Sequence, residues 1–179
     1  MTKWIIITAL LLLMSFLVLA LVVTRIENQQ ARENQQALKT KAVSSEAMAQ
    51  PSNHSNTAVV VFSRSGNTGI LANHIAHKTS GKMYEITAKD YELGIPGWIR
   101  ALKDARSNIA TIQPAIIDLS SYDTVYLGSP IWLYSPAPPI WQFAASNNFT
   151  GKKVILFNSF NSKFEQKCID EFEALVRLN

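Results

Sequence analysis

The chain has 179 residues, room for one ordinary domain, and a hydrophobic fraction of 47% that is ample for a core. Its 17 basic and 13 acidic side chains leave a net charge of +4, too small and too scattered for a nucleic-acid partner. A single cysteine, Cys168, excludes an internal disulfide, and its helical setting KCIDEFEALV makes it a buried thiol rather than a nucleophile.

After a tail of residues 1–3, Trp4 to Val23 is a run of twenty residues with no charge. At about 1.5 Å per residue it spans roughly 30 Å, the thickness of a bilayer's hydrocarbon core. A cleaved signal peptide is the competing reading, with Val18 and Ala20 at the small-residue positions before the cut. The run is long for the apolar part of a signal peptide, so the anchor is favoured. The membrane is then a partner through residues 4–23 of a single-pass protein of the cell membrane. Lys3 precedes the span, while Arg25, Arg32, Lys39 and Lys41 follow it. That basic excess places the following domain in the cytoplasm, although a very short N-terminal tail also suits the opposite orientation.

Residues 24–57 read as a polar linker. The first part, RIENQQARENQQALKTKA, favours helix without a sustained apolar face, as a solvated extension of the membrane helix would. The second, SSEAMAQPSNHSN, has the composition of a flexible tether and contains His54.

From residue 58 to 179 strand and helix patterns alternate. AVVVF is a continuous apolar run of the kind buried on both faces of a sheet. NTGILANHIAHKTSG sets Ile70, Leu71 and Ile75 at helical spacing, with Gly81 as a stop signal. KMYEITA is a second strand, and IPGWIRALKDARSNIA a helix with Pro96 in its entry, followed by a loop. DTVYLGSP is a third strand, broken by Ser129-Pro130. APPIWQFAAS opens a helix with prolines in its first turn, and KKVILFNS is a fourth strand. KFEQKCIDEFEALVRL places Phe164, Cys168, Phe172, Leu175 and Val176 on one helical face. The alternation predicts an α/β fold with an open parallel sheet and helices on both faces.

Ligands bind such sheets outside the carboxyl ends of the strands. Three strand ends carry unusual residues, at 63–68, 128–134 and 158–160, and a parallel sheet brings them to one edge. In SRSGNT, Gly66 permits a tight turn whose N–H groups converge, and the following helix adds its positive end. Ser63, Ser65, Asn67 and Thr68 add neutral donors and Arg64 a charge. The residues alone suit an anion cradle and a plain capped turn equally. Neither a G-x-x-x-x-G-K-[ST] nor a G-x-G-x-x-G pattern is present. Trp132 and Tyr134 in the Pro-rich second loop suit a flat ring ligand, or, for Trp132, packing under the helix near Pro138. Trp141 and Phe143 read as core.

VVVFSRSGNT, SSYDTVYLGSPIWLYSPAPPIWQF and FTGKKVILFNSF, in this order, resemble the flavodoxin-like family of FMN-binding domains, in the branch whose second loop reads Gly-x-Pro-Ile-Trp. The resemblance implies FMN as cofactor. It implies that Ser63, Arg64, Ser65, Gly66, Asn67 and Thr68 wrap its phosphate and that Pro130, Ile131, Trp132, Leu133 and Tyr134 flank its ring. Asn158, Ser159 and Phe160 would approach the ring's other side. The third loop, FNSFNSKFEQ, lacks the glycines that related domains run there. The family's sheet has five strands in the order 2-1-3-4-5. Only four can be placed here, in the order 2-1-3-4, so the domain reads as shortened or as carrying a covered edge. An open strand edge is also a route to a homo-oligomer.

His74 and His77 share an i,i+3 spacing without a third ligand and read as solvent-facing residues. No catalytic residue and no metal site is expected. Three functions follow from the resemblance. One is a flavoprotein oxidoreductase, moving electrons from NAD(P)H or a redox partner to a quinone-like or protein acceptor. The second is a one-electron carrier, and the third an interaction module that no longer binds FMN. Carriers of this family tend to be acidic, whereas from Asn56 onward this chain has 12 basic and 10 acidic side chains.

Overall fold

The valine-rich run TAVVVF forms β1 (Thr57–Phe62), the strand around which the sheet is laid. The computed structural model describes residues 2–46, 56–161 and 163–179. Successive side chains of β1 point to opposite faces, and both faces are covered. Ala58, Val60 and Phe62 join a large core with residues from α3, α4 and α5, while Val59 and Val61 meet Ala72 of α2. These helices are α2 (Asn67–Thr79), α3 (Ile95–Asp104), α4 (Pro138–Ser146) and α5 (Gln166–Leu178). The expected helices on both faces are present.

β1 pairs in parallel with β2 (Lys82–Ile86) on one side and with β3 (Thr124–Trp132) on the other. The last strand, β5 (Lys153–Ser159), pairs in parallel with β3. The order β2-β1-β3-β5 is the open parallel sheet expected, with its four strands in the expected sequence. Among the described residues there is no fifth parallel strand, and β5 pairs with β3 alone. A groove of about 500 Å³ runs beside it, lined by Val154, Leu156, Phe172 and Val176.

Three local expectations are corrected. Ser129-Pro130 does not break the third strand: β3 runs on to Trp132, with Pro130 opposite Ser159 of β5. It then turns back through the two-residue strand β4 (Ser135–Pro136), which pairs antiparallel with Ile131 and Trp132. Phe164 does not share the α5 face. It precedes the helix and packs its ring on Phe160 at 5.5 Å, leaving Cys168, Phe172 and Val176 as the buried stripe. In α2 the core face is Thr68, Gly69 and Ala72, backed by Ile75 and Ala76, and Leu71 points outward. Small residues allow this helix to lie close to the sheet.

One glycine on β3 is dictated by packing. A Cβ at Gly128 would run into the ring of Phe157, its register partner on β5. The absence of a side chain at 128 is what lets that ring lie across β3.

The apolar run begins a single helix, α1 (Thr2–Glu46), that continues well past Val23. Its residues from Lys3 to Thr40 are long and apolar enough to cross a bilayer. Most of its side chains are exposed, but Ala20, Thr24 and Ala31 are buried against the domain. The spacing of four and seven keeps these small residues in one stripe, which also contains Glu27 and Asn34. The first half of the expected linker is thus helical, and its Asn34 docks at the start of α2, while Phe16 of the apolar run meets Trp98 of α3. His54 and the rest of the tether lie outside the described residues.

Candidate functional site

SRSGNT makes the sharp passage from β1 into α2. Gly66 is the N-cap of α2 at φ 88°, ψ −12°, a left-handed conformation that glycine adopts without steric cost. No side chain caps the helix. The turn is therefore not the capped turn that the local sequence also allowed. Its first-turn N–H groups lack the side-chain acceptor that usually satisfies them, and they carry the positive end of the helix dipole. Thr68 is buried, and its hydroxyl lies 2.6 Å from that of Ser159 at the end of β5. The first and third strand ends thus meet through two hydroxyl groups.

The second strand end is a tight hairpin. Trp132 pairs with Ser135, so Leu133 and Tyr134 alone make the turn, at φ 41° and 74°. Two consecutive positive φ values suit such a turn, but Asn and Gly normally supply them. Here outside contacts hold the strained pair. Arg106 Nη1 donates to the Leu133 carbonyl at 3.0 Å, and the Glu165 N–H donates to the Tyr134 carbonyl at 2.8 Å. Arg106 and Glu165 in turn pair at 3.0 Å. This pair holds the Glu165 carboxyl below the usual carboxylate range, chiefly through the hydrogen bond from Arg106. Behind the hairpin, buried Ser129 donates to the Pro130 carbonyl and accepts the Ala137 N–H, fixing the start of α4.

Trp132 lies partly in the core. Its ring meets Tyr91 at 5.2 Å and Phe62 at 5.6 Å, both edge-on. Burial, reinforced by the neighbouring Asp104 carboxylate, pushes the Tyr91 hydroxyl up to about 12. Trp141 and Phe143 are buried as expected, Trp141 donating to the Pro136 carbonyl at 3.0 Å. Cys168 is a buried free thiol. His74 and His77 are exposed on α2, and among the described residues no cluster could hold a metal ion.

These three strand ends border one cavity of about 690 Å³, within the range of cofactor pockets. Twelve of the fourteen predicted site residues line it: Ser63, Arg64, Ser65, Asn67, Thr68, Pro130, Ile131, Trp132, Leu133, Tyr134, Ser159 and Phe160. Gly66 shapes the turn without lining the cavity. Asn158 stays in the sheet, where its amide, oriented to satisfy both its atoms, donates to the Ser129 carbonyl at 3.0 Å. Arg64 does not offer a free charge. Its Nε donates to the Tyr91 carbonyl, Nη2 to those of Glu92 and Gly94, and Nη1 pairs with Glu27. It staples the turn to the chain between β2 and α3.

Sequence reasoning missed a whole wall. Val23, Ile26, Glu27 and Gln30 of α1 line the cavity, as do Asn161 and Lys163. Asn34 Nδ2 donates at 2.8 Å both to the Ser65 carbonyl and to Asn67 Oδ1. The available signal was the small-residue stripe of α1, with Glu27 and Asn34 seven residues apart and so on one helical face.

An open parallel sheet with an uncapped helix start and an aromatic hairpin at its carboxyl edge defines a class: α/β domains that hold a phosphate-bearing ring cofactor. A sequence profile of flavodoxin matches residues 56–176, and the chain belongs to the flavodoxin family. No curated protein matches it. A flavoprotein of Bacteroides uniformis shares the fold with a TM-score of 0.61 at 28% identity, over 68% of this chain and 83% of its own. A flavoprotein of Lactobacillus acidophilus, solved in complex with FMN, gives 0.54 at 22% identity over 67% and 85%.

Proposed function

We propose that this protein binds FMN and acts as a membrane-anchored oxidoreductase, passing electrons from NAD(P)H or a redox partner to a quinone-like or protein acceptor. The observation that carries this reading is the single cavity at the carboxyl edge of the sheet, bordered by all three predicted loops. Its residues fit the cofactor. The uncapped N-terminus of α2 and the hydroxyls of Ser63, Ser65 and Thr68 make a donor set for the phosphate. Pro130 to Tyr134 offer an apolar and aromatic edge for the ring, and Phe160 faces the same cavity. Bound FMN supplies transfer of one or two electrons, and the protein orients and shields it. Arg64 acts by holding the turn rather than by touching the phosphate. The apolar part of α1 supports the anchor, and the basic residues after it support a cytoplasmic domain.

One observation favours the non-catalytic reading: the Glu27 carboxylate stands in the cavity wall, where a phosphate dianion gains nothing from it. The two readings separate on one experiment. The full chain, purified in detergent and given FMN, is expected to acquire a flavin spectrum and to oxidise NAD(P)H in the presence of a quinone. A protein that stays colourless overturns the flavoprotein reading. A coloured protein inert toward NAD(P)H is a carrier instead. Trp132→Ala is expected to weaken FMN binding or move its potential; no change in either would make Trp132 a core residue only.

A further inference from the structure

One helix face takes no part in the cavity. α3 turns Gly97 and Ala101 to the core but leaves Ile99 and Leu102 exposed at 45% and 40%, with Leu93 just ahead of the helix at 38%. Ile95, Ile99 and Leu102 fall within an arc of about 60° on a helix that turns 100° per residue. Lys103 and Arg100 lie on one side of this stripe, both exposed. Trp98 lies on the other side, its ring 5.9 Å from that of Phe16 in α1. The arrangement is that of a surface helix, apolar along one line and basic beside it, rather than of scattered exposed leucines.

Phe16 sets the height of this face. It lies seven residues inside the Val23 end of the apolar run, about 10 Å along the helix axis. A bilayer whose hydrocarbon core holds residues 4–23 puts the Trp98 ring, beside Phe16, below the boundary of headgroups and acyl chains and among the outer part of the chains. Amphipathic helices bury their apolar faces by about 5–10 Å, a depth that reaches the level of Phe16. We infer that α3 lies in the surface of the bilayer that α1 spans, with Leu93, Ile99 and Leu102 among the acyl chains and Arg100 and Lys103 toward anionic headgroups. The inference rests on the anchor reading. The apolar stripe carries most of the contact, because Arg100 shares its charge with Asp104 at 2.6 Å and Arg106 is engaged by the hairpin. Anionic lipid strengthens the contact through Lys103 and Arg100. With two helices in contact with lipid, the domain is held against the membrane instead of swinging above it.

The test uses the full chain in lipid vesicles. A fluorophore is placed at Leu102→Cys in a Cys168→Ala background, with Lys78→Cys on the exposed side of α2 as the reference. Position 102 is expected to be quenched several-fold more by a lipid-borne nitroxide, and several-fold less by aqueous iodide, than position 78. Equal quenching at both positions, in protein that floats with the vesicles, overturns the surface helix and leaves the anchor standing. Protein that does not float overturns the anchor and the inference with it. Because a label disturbs the face it reports on, amide hydrogen exchange of residues 95–104 is followed in the unlabelled chain. Exchange is expected to slow several-fold when anionic lipid replaces neutral lipid, and Arg100→Glu with Lys103→Glu to abolish that slowing. Exchange that is the same in both lipids overturns the headgroup contact. Slowing that appears only with an added protein assigns the face to a protein partner and likewise overturns it.

Discussion

The turn at 63–68 and the turn at 132–135 border the same cavity but are held in opposite ways. The first takes its shape without backbone strain. Gly66 adopts the left-handed conformation at no cost, and the backbone donors of α2 are left for a ligand. Asn34 and Arg64 only tie the turn to its neighbours. The second is held from outside. Leu133 and Tyr134 take positive φ values against their preference, and Arg106 and Glu165 hold their carbonyls. A turn made by glycine carries no strain for its neighbours to offset. A turn made by leucine and tyrosine depends on residues 27 and more positions away, so its geometry responds to what happens there.

Four experiments press on this contrast. Gly66→Ala is expected to do the most damage, costing about 1–2 kcal/mol for an alanine in the left-handed region. The new Cβ also meets the Cβ of Asn34 at 2.8 Å. Loss of one amide contact to the phosphate, about 1.5 kcal/mol, weakens FMN about tenfold. Urea melts and fluorescence titration measure both, and an unchanged affinity would show that the turn does not touch phosphate. The opposite substitution makes the second turn self-sufficient. Leu133→Asn with Tyr134→Gly is expected to raise stability by about 1 kcal/mol, because Asn-Gly accepts the positive φ values. In that background Arg106→Met should cost less than in the parent chain; an equal cost in both would mean that Arg106 does not hold the turn.

The smaller effects are read in pH. The Tyr91 hydroxyl, pushed up to about 12 behind the hairpin, contributes stability that is complete below the ordinary tyrosine range near 10. That contribution is lost as pH rises toward 12, so Tyr91→Phe should flatten the alkaline arm of a stability profile. A parent and variant with the same alkaline slope would remove Tyr91 from the account. Glu165 has the opposite sign. Its carboxyl is lowered, so its contribution is present above the usual carboxylate range and fades as pH falls through the lowered value. Amide shifts of Leu133 and Tyr134 should follow that acid transition and lose it in Arg106→Met, the smallest of the four effects.

The two turns also differ in how far they could be read in the sequence. SRSGNT after a valine run states its own geometry, since glycine between small polar residues at a strand end is a local pattern. The parallel sheet was equally legible, because alternating apolar runs and helical spacings reflect burial residue by residue. The hairpin was not. Pro130 looked like the end of a strand, yet it sits at a position where Ser159 and the returning β4 accommodate it. Positive φ at Leu133 and Tyr134 leaves no mark in their identity, because the contacts that hold them come from Arg106 and Glu165. The family resemblance implies Arg64 on the phosphate, and nothing in its identity shows that three carbonyls and Glu27 engage it. The wall from α1 was hidden for a related reason. Ala20, Thr24 and Ala31 are too small to raise an apolar periodicity, although small size is what lets that helix come close.

The unbroken course of α1 also fixes a phase. Val23 closes the apolar run, and Asn34 touches the turn at 63–68 eleven residues later, about 16 Å along the same axis. A residue inserted between them would lift the turn by about 1.5 Å and swing it by about 100°. The helix therefore works as a ruler with coarse divisions. The spacing between Val23 and the turn that Asn34 holds can change only by near-whole turns, so its length is as much a part of the site as any side chain that lines it.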